Sequence, residues 1–248
     1  MEHWGIGRAF AVFDAQDSGC RSWGVEHAGQ RWFVKTAVQP SARAGLARAA
    51  ALHAVVRHDA VVPLSMVLDG TDGPTLVYPW REGEVLNRAT TAGSDRSALL
   101  RLQREPVQRA VRVVDQVLQA HRAVAAAGWV IGDLYDGCLL YDADSGRVSL
   151  IDLDEYRPGP FVLSSQRLPG SKRYMAPEEM VRGAVIDYRT SVFALGRVVQ
   201  HLLDGPREWR GSAQQWAVVE RATQPSPQRR YPGVAELVAA WEQACARA

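Results

Sequence analysis

Two acidic residues set at either end of a short hairpin constrain this chain more than any other feature. The stretch runs Gly132-Asp133-Leu134, a short turn, the apolar run Leu139-Leu140-Tyr141, then Asp144-Ser145-Gly146. A second apolar run from Val148 to Ile151 ends in Asp152-Leu153-Asp154. Asp-Ser-Gly is turn chemistry, so the pattern predicts loop, strand, tight turn, strand, loop. An acid before the first strand and another after the second finish at the same edge of the hairpin. Two carboxylates so placed can share one site, where one can accept a proton and the other can hold a divalent cation.

The 248 residues fit one large domain or two small lobes around a sizeable core. A net charge of +2 gives no field for nucleic acid or membrane. No apolar run is long enough to span a bilayer, and residues 1–12 carry Glu2 and Arg8 without a signal-peptide core. Cys20, Cys138 and Cys245 form neither a metal pattern nor a disulfide framework, so a reducing cytoplasm is the expected location. Lys35 and Lys172 are the only lysines in a basic set made otherwise of arginine.

Taken in order, residues 8–38 read as strands broken by a turn over 17–24, and 41–57 as an Ala-rich helix. Residues 74–78 read as a strand and 87–106 as a mobile polar connection. Helical spacing of Val111, Val114, Leu118, His121 and Val124 predicts a helix over 107–127, with His121 a core residue. Residues 155–169 lack periodicity and read as loop; helices are expected over 187–196 and 234–241.

Ile131-Gly132-Asp133, Asp152-Leu153-Asp154 and the later Gly170-Ser171-Lys172-Arg173-Tyr174-Met175-Ala176-Pro177-Glu178 resemble the catalytic loop, the metal-binding loop and the end of the activation segment of protein-kinase-like phosphotransferases. The resemblance runs from about Asp17 to the C-terminus. It implies a bilobal α+β fold: a β-rich N-lobe over 1–79, a hinge at 80–82 and a helical C-lobe over 83–248. It also implies ATP and Mg²⁺ between the lobes and transfer of the γ-phosphoryl group to a hydroxyl. Asp133 then orients the acceptor hydroxyl or takes its proton, Asp152 holds the metal, and Lys35 in Phe33-Val34-Lys35 holds phosphates. Gly19 and Gly24 match two glycines of the phosphate-covering loop, and Arg21, in place of the middle glycine, would contact phosphate with its side chain. Tyr78 falls at the gatekeeper position, and Pro79-Trp80-Arg81-Glu82-Gly83 looks like the stretch that carries the hinge, with Pro79 and Arg81 on the nucleotide side and the Pro79 carbonyl offered to adenine. Glu178 is expected to pair with Arg230.

The chain departs from that pattern at several positions. The helix over 41–57 carries Arg48-Ala49-Ala50-Ala51 where the family has the Glu that pairs with the strand Lys, so Lys35 is oriented otherwise, for instance by Asp152, or activity is impaired. Cys138 replaces the metal-binding Asn; a thiol is a poor Mg²⁺ ligand, so Asp136 or Asp154 would supply the missing oxygen. Gly132 replaces the Arg that reads a phosphorylated activation loop, so phosphorylation of Ser164 or Ser165 is not expected to be required. Ser191 replaces the Asp that braces the catalytic loop. Each piece also has a plainer reading: a hairpin turn at Gly19–Gly24, a surface lysine at Lys35, a simple turn at Asp136-Gly137, a strand end at Tyr78. The leading expectation is an atypical Ser/Thr protein kinase acting on a protein hydroxyl. Two alternatives stand beside it: a small-molecule phosphotransferase of the antibiotic type, and a pseudokinase serving as a nucleotide-binding or scaffold module.

Overall fold

The structure, a computed structural model, describes residues 7–14, 18–70, 73–90, 93–205 and 208–247. Its N-terminal part is rich in sheet and its later part in helix, a mixed α+β arrangement. Strands β1 (Arg8–Phe13), β2 (Cys20–His27), β3 (Gln30–Ala37), β4 (Met66–Gly70) and β5 (Gly73–Pro79) form one antiparallel sheet in the order β1-β2-β3-β5-β4. Helix α1 (Pro40–Val55) follows β3. Pro40 opens it, since a first-turn proline loses no intrahelical bond. Leu46, Ala49 and Leu52 of α1 are fully buried, and Leu46 and Ala49 pack with Leu76 of β5. The opposite face of the sheet buries Trp23, Val25, Val34 and Val77.

After β5 the chain forms β6 (Glu84–Val85), the small hairpin β7 (Arg88–Thr90) and β8 (Gly93–Asp95), and the short helix α2 (Ser97–Leu102). The expectation of a mobile connection over 87–106 is corrected here. Leu99 and Leu102, three residues apart, are buried against the helical core, and that spacing is a one-turn helix signal. Helix α3 (Val107–Ala126) covers the predicted 107–127, and His121 is indeed a core residue, its ring set between the Val117 carbonyl and the Tyr156 hydroxyl at 2.7 and 2.8 Å. Next come β9 (Trp129–Val130), then β10 (Leu139–Asp142) and β11 (Arg147–Leu150), the hairpin read from sequence. Its turn closes through Asp142, whose carbonyl accepts from Gly146 N–H at 2.8 Å and whose carboxylate accepts from Ser145 Oγ at 2.6 Å.

The 155–169 loop is corrected in part: Arg157–Pro158 pairs with β9, and Phe161–Val162 pairs with Val185–Ile186. Helices α4 (Tyr188–Leu203), α5 (Ala213–Ala222) and α6 (Val234–Ala246) complete the chain. Asp187 and Ser212 cap α4 and α5 by accepting backbone N–H bonds at 2.7 and 3.2 Å. One continuous apolar core joins α3, α4, α5 and α6 to the hairpin. The segment after α1 ties that core to the N-terminal half, because Leu150 N–H of β11 donates to the Ala60 carbonyl at 2.6 Å.

The expected turn over 17–24 is also corrected. Cys20 to His27 is strand, paired residue for residue with β3, so Arg21 lies opposite Thr36 and Gly24 opposite Phe33. The turn precedes Cys20, and Asp17 lies outside the described residues.

Candidate active site

The hairpin register positions the two aspartates. Leu139 faces Leu150, and Ile151 N–H donates to the Cys138 carbonyl at 3.0 Å, so pairing continues one residue past the strands. Asp152 therefore follows directly beside the end of the 133–138 loop. The two loops also meet backbone to backbone: a β-carbon on Gly132 would lie 2.2 Å from the Glu155 carbonyl oxygen. Only glycine allows that approach, which accounts for Gly132 where the kinase pattern has Arg. The buried hydroxyl of Ser191 on α4 accepts from Ile131 N–H at 3.0 Å, so a serine braces this loop in place of the expected acid.

Asp133 and Asp152 both adopt left-handed backbone angles, with φ of 51° and 62°. This region costs most side chains on the order of 1–2 kcal/mol and is best tolerated by Asp and Asn after glycine. Ala28 is the third non-glycine residue with positive φ among the described residues, and it sits in an ordinary hairpin turn. The other two are the acids singled out from sequence.

Lys35 crosses from β3 to meet Asp152 and Asp154. Its ammonium, 4% exposed, bonds Asp152 Oδ1 and lies 2.5 Å from Asp154 Oδ2. Burial alone would push this amine down. The two carboxylates outweigh it and hold Lys35 well above its ordinary value, so it is charged. Burial raises the Asp154 carboxyl, with Lys35 pulling the other way and Asp152 adding to the rise.

Helix α1 reaches the same loop with reversed polarity. Arg48 Nε donates to the Asp154 carbonyl at 3.2 Å, and its Nη2 lies 3.1 Å from Glu155 Oε1. Gly45, one turn earlier, packs against the same loop: an ideal β-carbon there would meet the Asp154 β-carbon in ordinary van der Waals contact, at 3.4 Å. In place of a helix-to-Lys35 pair, which the sequence of α1 excludes, Lys35 pairs with Asp152 and Asp154, and Arg48 with Glu155. The sequence marks Arg48 only as standing where the family has Glu; its partner Glu155 lies far along the chain, and no local pattern links the two.

Asp136 sits elsewhere in the network. It is 2% exposed; its Oδ1 accepts from Asn87 Nδ2 at 2.9 Å, and its Oδ2 lies 3.8 and 3.7 Å from Arg96 and Arg173. Of the two candidate replacement ligands, Asp154 is the one that shares the Lys35 ammonium with Asp152. Cys138 is buried, and its thiol donates to the Asp133 carbonyl at 3.2 Å. Burial first, then the Asp133 and Asp152 carboxylates, push the thiol well above its ordinary value. Among the described residues no cluster of three or more His, Cys, Asp and Glu forms a metal cage. Asp152 and Asp154 converging on one cation fit an ion that keeps most of its water, as Mg²⁺ does.

Asp133 faces the start of the 170–178 segment. A β-carbon on Gly170 (φ 131°) would lie 2.7 Å from Asp133 Oδ1. A small cavity of about 10 Å³ lies between Asp133, Ser171 and Glu179. Glu179 was not foreseen as a site residue. Burial lifts its carboxyl to about 8, and its Oε2 accepts from Ala176 N–H at 2.6 Å. Glu178 and Arg230 form the expected pair, two-pronged at 2.6 and 2.9 Å, with the Arg230 side chain fully buried.

The nucleotide-side positions are more dispersed. Gly19 accepts from Val38 and Gln39 N–H at 2.9 and 3.0 Å and so fixes the turn into α1. The space beside Gly24 is filled by the rings of Phe10 and Trp80, 2.6 and 3.0 Å from where a β-carbon would be. Tyr78 lies opposite Phe33 on β5, and burial pushes its phenol up. Pro79 pairs with Trp32, Trp80 N–H is spent on the Arg31 carbonyl at 3.0 Å, and Arg81 is exposed. Phe13 lies 5.9 Å from Phe33 and 6.4 Å from Trp80, so this end of β3 is lined by aromatic rings.

No helix among the described residues is long and apolar enough to cross a membrane. No family model matches the chain. The serine/threonine-protein kinase pkn3 of Myxococcus xanthus is 27% identical over 135 residues, which cover 50% of this chain and 24% of that protein. The chain therefore spans about a quarter of the length of that relative, and the similarity amounts to a distant kinase-like relationship.

Proposed function

We propose that this chain is a kinase-like phosphotransferase that moves the γ-phosphoryl group of Mg²⁺-ATP to a hydroxyl, with a protein Ser or Thr as the acceptor. The observation that carries this reading is the meeting of Lys35, Asp152 and Asp154 at one point, with Asp133 in a left-handed backbone on the adjoining loop, which touches the segment after β11 at Cys138–Ile151 and Gly132–Glu155. Strain of this kind persists where the surrounding structure over-determines it, as at catalytic sites. The distant kinase relative supports the same class.

In this reading Lys35 gives its charge to nucleotide phosphates, and Asp152 with Asp154 provides oxygens for the metal. A bound Mg²⁺ would supply charge stabilisation for the transferring group. The ion pairs are suited to exchange: with a cation on the Asp152 and Asp154 carboxylates, the Lys35 ammonium would be free to turn to phosphates. Asp133 orients the acceptor hydroxyl and takes its proton as the hydroxyl oxygen bonds the γ-phosphorus and the bond from that phosphorus to the β-phosphate oxygen breaks, with ADP as the leaving group. Phosphoryl transfer asks chiefly for positioning and charge compensation, which these groups provide.

A second reading, a pseudokinase that acts as a binding module, is favoured by the rings of Phe13, Phe33 and Trp80 at the hinge end of β3 and by the committed Trp80 N–H. Mg²⁺-ATP titration separates the two. The phosphotransferase reading expects a rise in melting temperature with millimolar Mg²⁺-ATP that shrinks in Lys35→Ala, and transfer of label that disappears in Asp152→Ala and Asp133→Ala. No thermal shift in the parent protein would reject it in favour of the binding module.

A further inference from the structure

A cationic cavity of about 470 Å³ opens next to the Asp133 loop, and the mechanism above makes no use of it. Ser94, Arg96, Leu99, Gln103, Arg173 and His201 line it. These residues come from three places: the β8–α2 region, the 170–178 segment and α4. Arg96 Nε and Arg173 Nη1 are buried and donate no hydrogen bond. Each lies beyond hydrogen-bonding distance of the same oxygen, Asp136 Oδ2, at 3.8 and 3.7 Å. Buried guanidinium N–H groups without acceptors are costly, and an incoming anion satisfies them.

The wider surroundings carry the same sign. Arg197 Nη2 lies 3.2 Å from His201 Nε2, and Arg197 Nε donates to the Arg173 carbonyl at 2.8 Å. Arg96, Arg173 and Arg197 therefore face two carboxylates, Asp136 and Asp204, the latter 4.0 Å from His201 Nδ1. Burial first, then Arg197 and Arg173, lower the His201 imidazole to about 4. His201 is thus neutral at physiological pH and leaves an excess of positive charge. Leu99 and the Ser94 and Gln103 side chains give the cavity the mixed lining of a side-chain pocket rather than a bare surface patch.

We infer that this cavity receives an anionic side chain, carboxylate or phosphate, of the polypeptide that presents the acceptor hydroxyl. That this polypeptide is a phosphoryl acceptor rests on the phosphotransferase reading; the anion site itself does not. Its place favours a flanking residue. Asp136 is three residues after Asp133, and Arg173 is two after Ser171, which shares the small cavity with Asp133. Three residues of chain span at most about 11 Å. An acid two to four positions from the hydroxyl of an extended peptide covers that distance.

The test pairs binding with transfer. Ser-containing peptides with Glu, Gln or phosphoserine at each position within four of the acceptor are titrated against the full chain without nucleotide, and the His201 imidazole is followed by NMR. We expect the Glu or phosphoserine peptides to bind at least about 10-fold tighter than the Gln peptide, a difference of about 1.4 kcal/mol, and to raise the His201 pKa. Arg96→Gln and Arg173→Gln should each erase that preference. The parent-protein peptide series decides the matter even if a variant fails to fold. Equal binding of Glu and Gln peptides overturns the inference. So does a His201 shift produced by inorganic phosphate with no dependence on peptide charge. Charge-dependent binding without any phosphoryl transfer upholds the cavity and sinks the phosphotransferase reading; transfer without charge preference does the reverse.

Discussion

Asp133 and Asp152 both hold left-handed backbone angles, and single residues around them give sharp expectations. The Cys138 thiol points at the Asp133 carbonyl and is 1% exposed. Cys138→Ala should therefore leave the Mg²⁺ requirement of transfer unchanged while destabilising the fold by about 1–2 kcal/mol through the lost contact and a small void. Asp154→Ala should raise that requirement instead; the reverse pattern in a Mg²⁺ titration would mean that the ligand set is wrong. Glu179 offers a pH test. Its carboxyl titrates near 8 in the folded chain against an ordinary 4.5. Between those values the native state holds a proton that the unfolded state has released, so stability falls as pH rises through this window. A melting-temperature profile from pH 5 to 8 should slope downward in the parent and flatten in Glu179→Gln, which keeps an acceptor for Ala176 N–H. An unchanged slope would assign the pH dependence elsewhere.

At the scale of elements, α1 is anchored to the Asp152 loop by an ion pair of inverted polarity. Arg48 bonds both the Asp154 backbone and the Glu155 carboxylate, with both side chains roughly three-quarters buried. Charge-assisted hydrogen bonds at such depth contribute about 1.5–3 kcal/mol. Arg48→Ala should lower stability in urea by that order. The double exchange Arg48→Glu with Glu155→Arg should recover part of the loss, as a coupled pair does in a mutant cycle. Strict additivity of the two single variants would show that the helix is held by Leu46, Ala49 and Leu52 alone.

For the whole molecule, two charged clusters link distant segments. Lys35 with Asp152 and Asp154 joins the N-terminal sheet to the hairpin of the helical part. Glu178 with Arg230 joins the end of the 170–178 segment to the turn before α6. Arg230 also donates to the carbonyls of Arg189, Gln224 and Pro225 at 3.0, 2.7 and 2.9 Å. Removing one partner strands a buried charge. Arg230→Ala should therefore cost about 3–5 kcal/mol and lower soluble yield, and Arg230→Lys should recover little because it lacks the fork that meets both Glu178 oxygens. Chemical denaturation of the three proteins checks this; near-parental stability of Arg230→Ala would mean that the pair is dispensable.

The hairpin of 139–150, the helix over 107–126, the core position of His121 and the Glu178–Arg230 pair were all legible in the sequence, because each rests on local periodicity, turn chemistry or a motif order. Lys35 was singled out as a rare residue on a strand, and its pairing with Asp152 was foreseen as one option once no acid was found on α1. What only the tertiary structure decided is who pairs with whom. Gly19, Arg21 and Gly24 carry a loop-like composition, yet two of them lie in β2, because hydrogen bonds to β3 and the packing of Phe10 and Trp80 over Gly24 outweigh local turn preference. The choice of Asp154 over Asp136 beside Lys35, the Arg96–Asp136–Arg173 cluster and the role of Glu179 depend on burial and on long-range electrostatics. Those quantities are set when segments far apart in sequence come within a few ångströms, and no window of the sequence contains them.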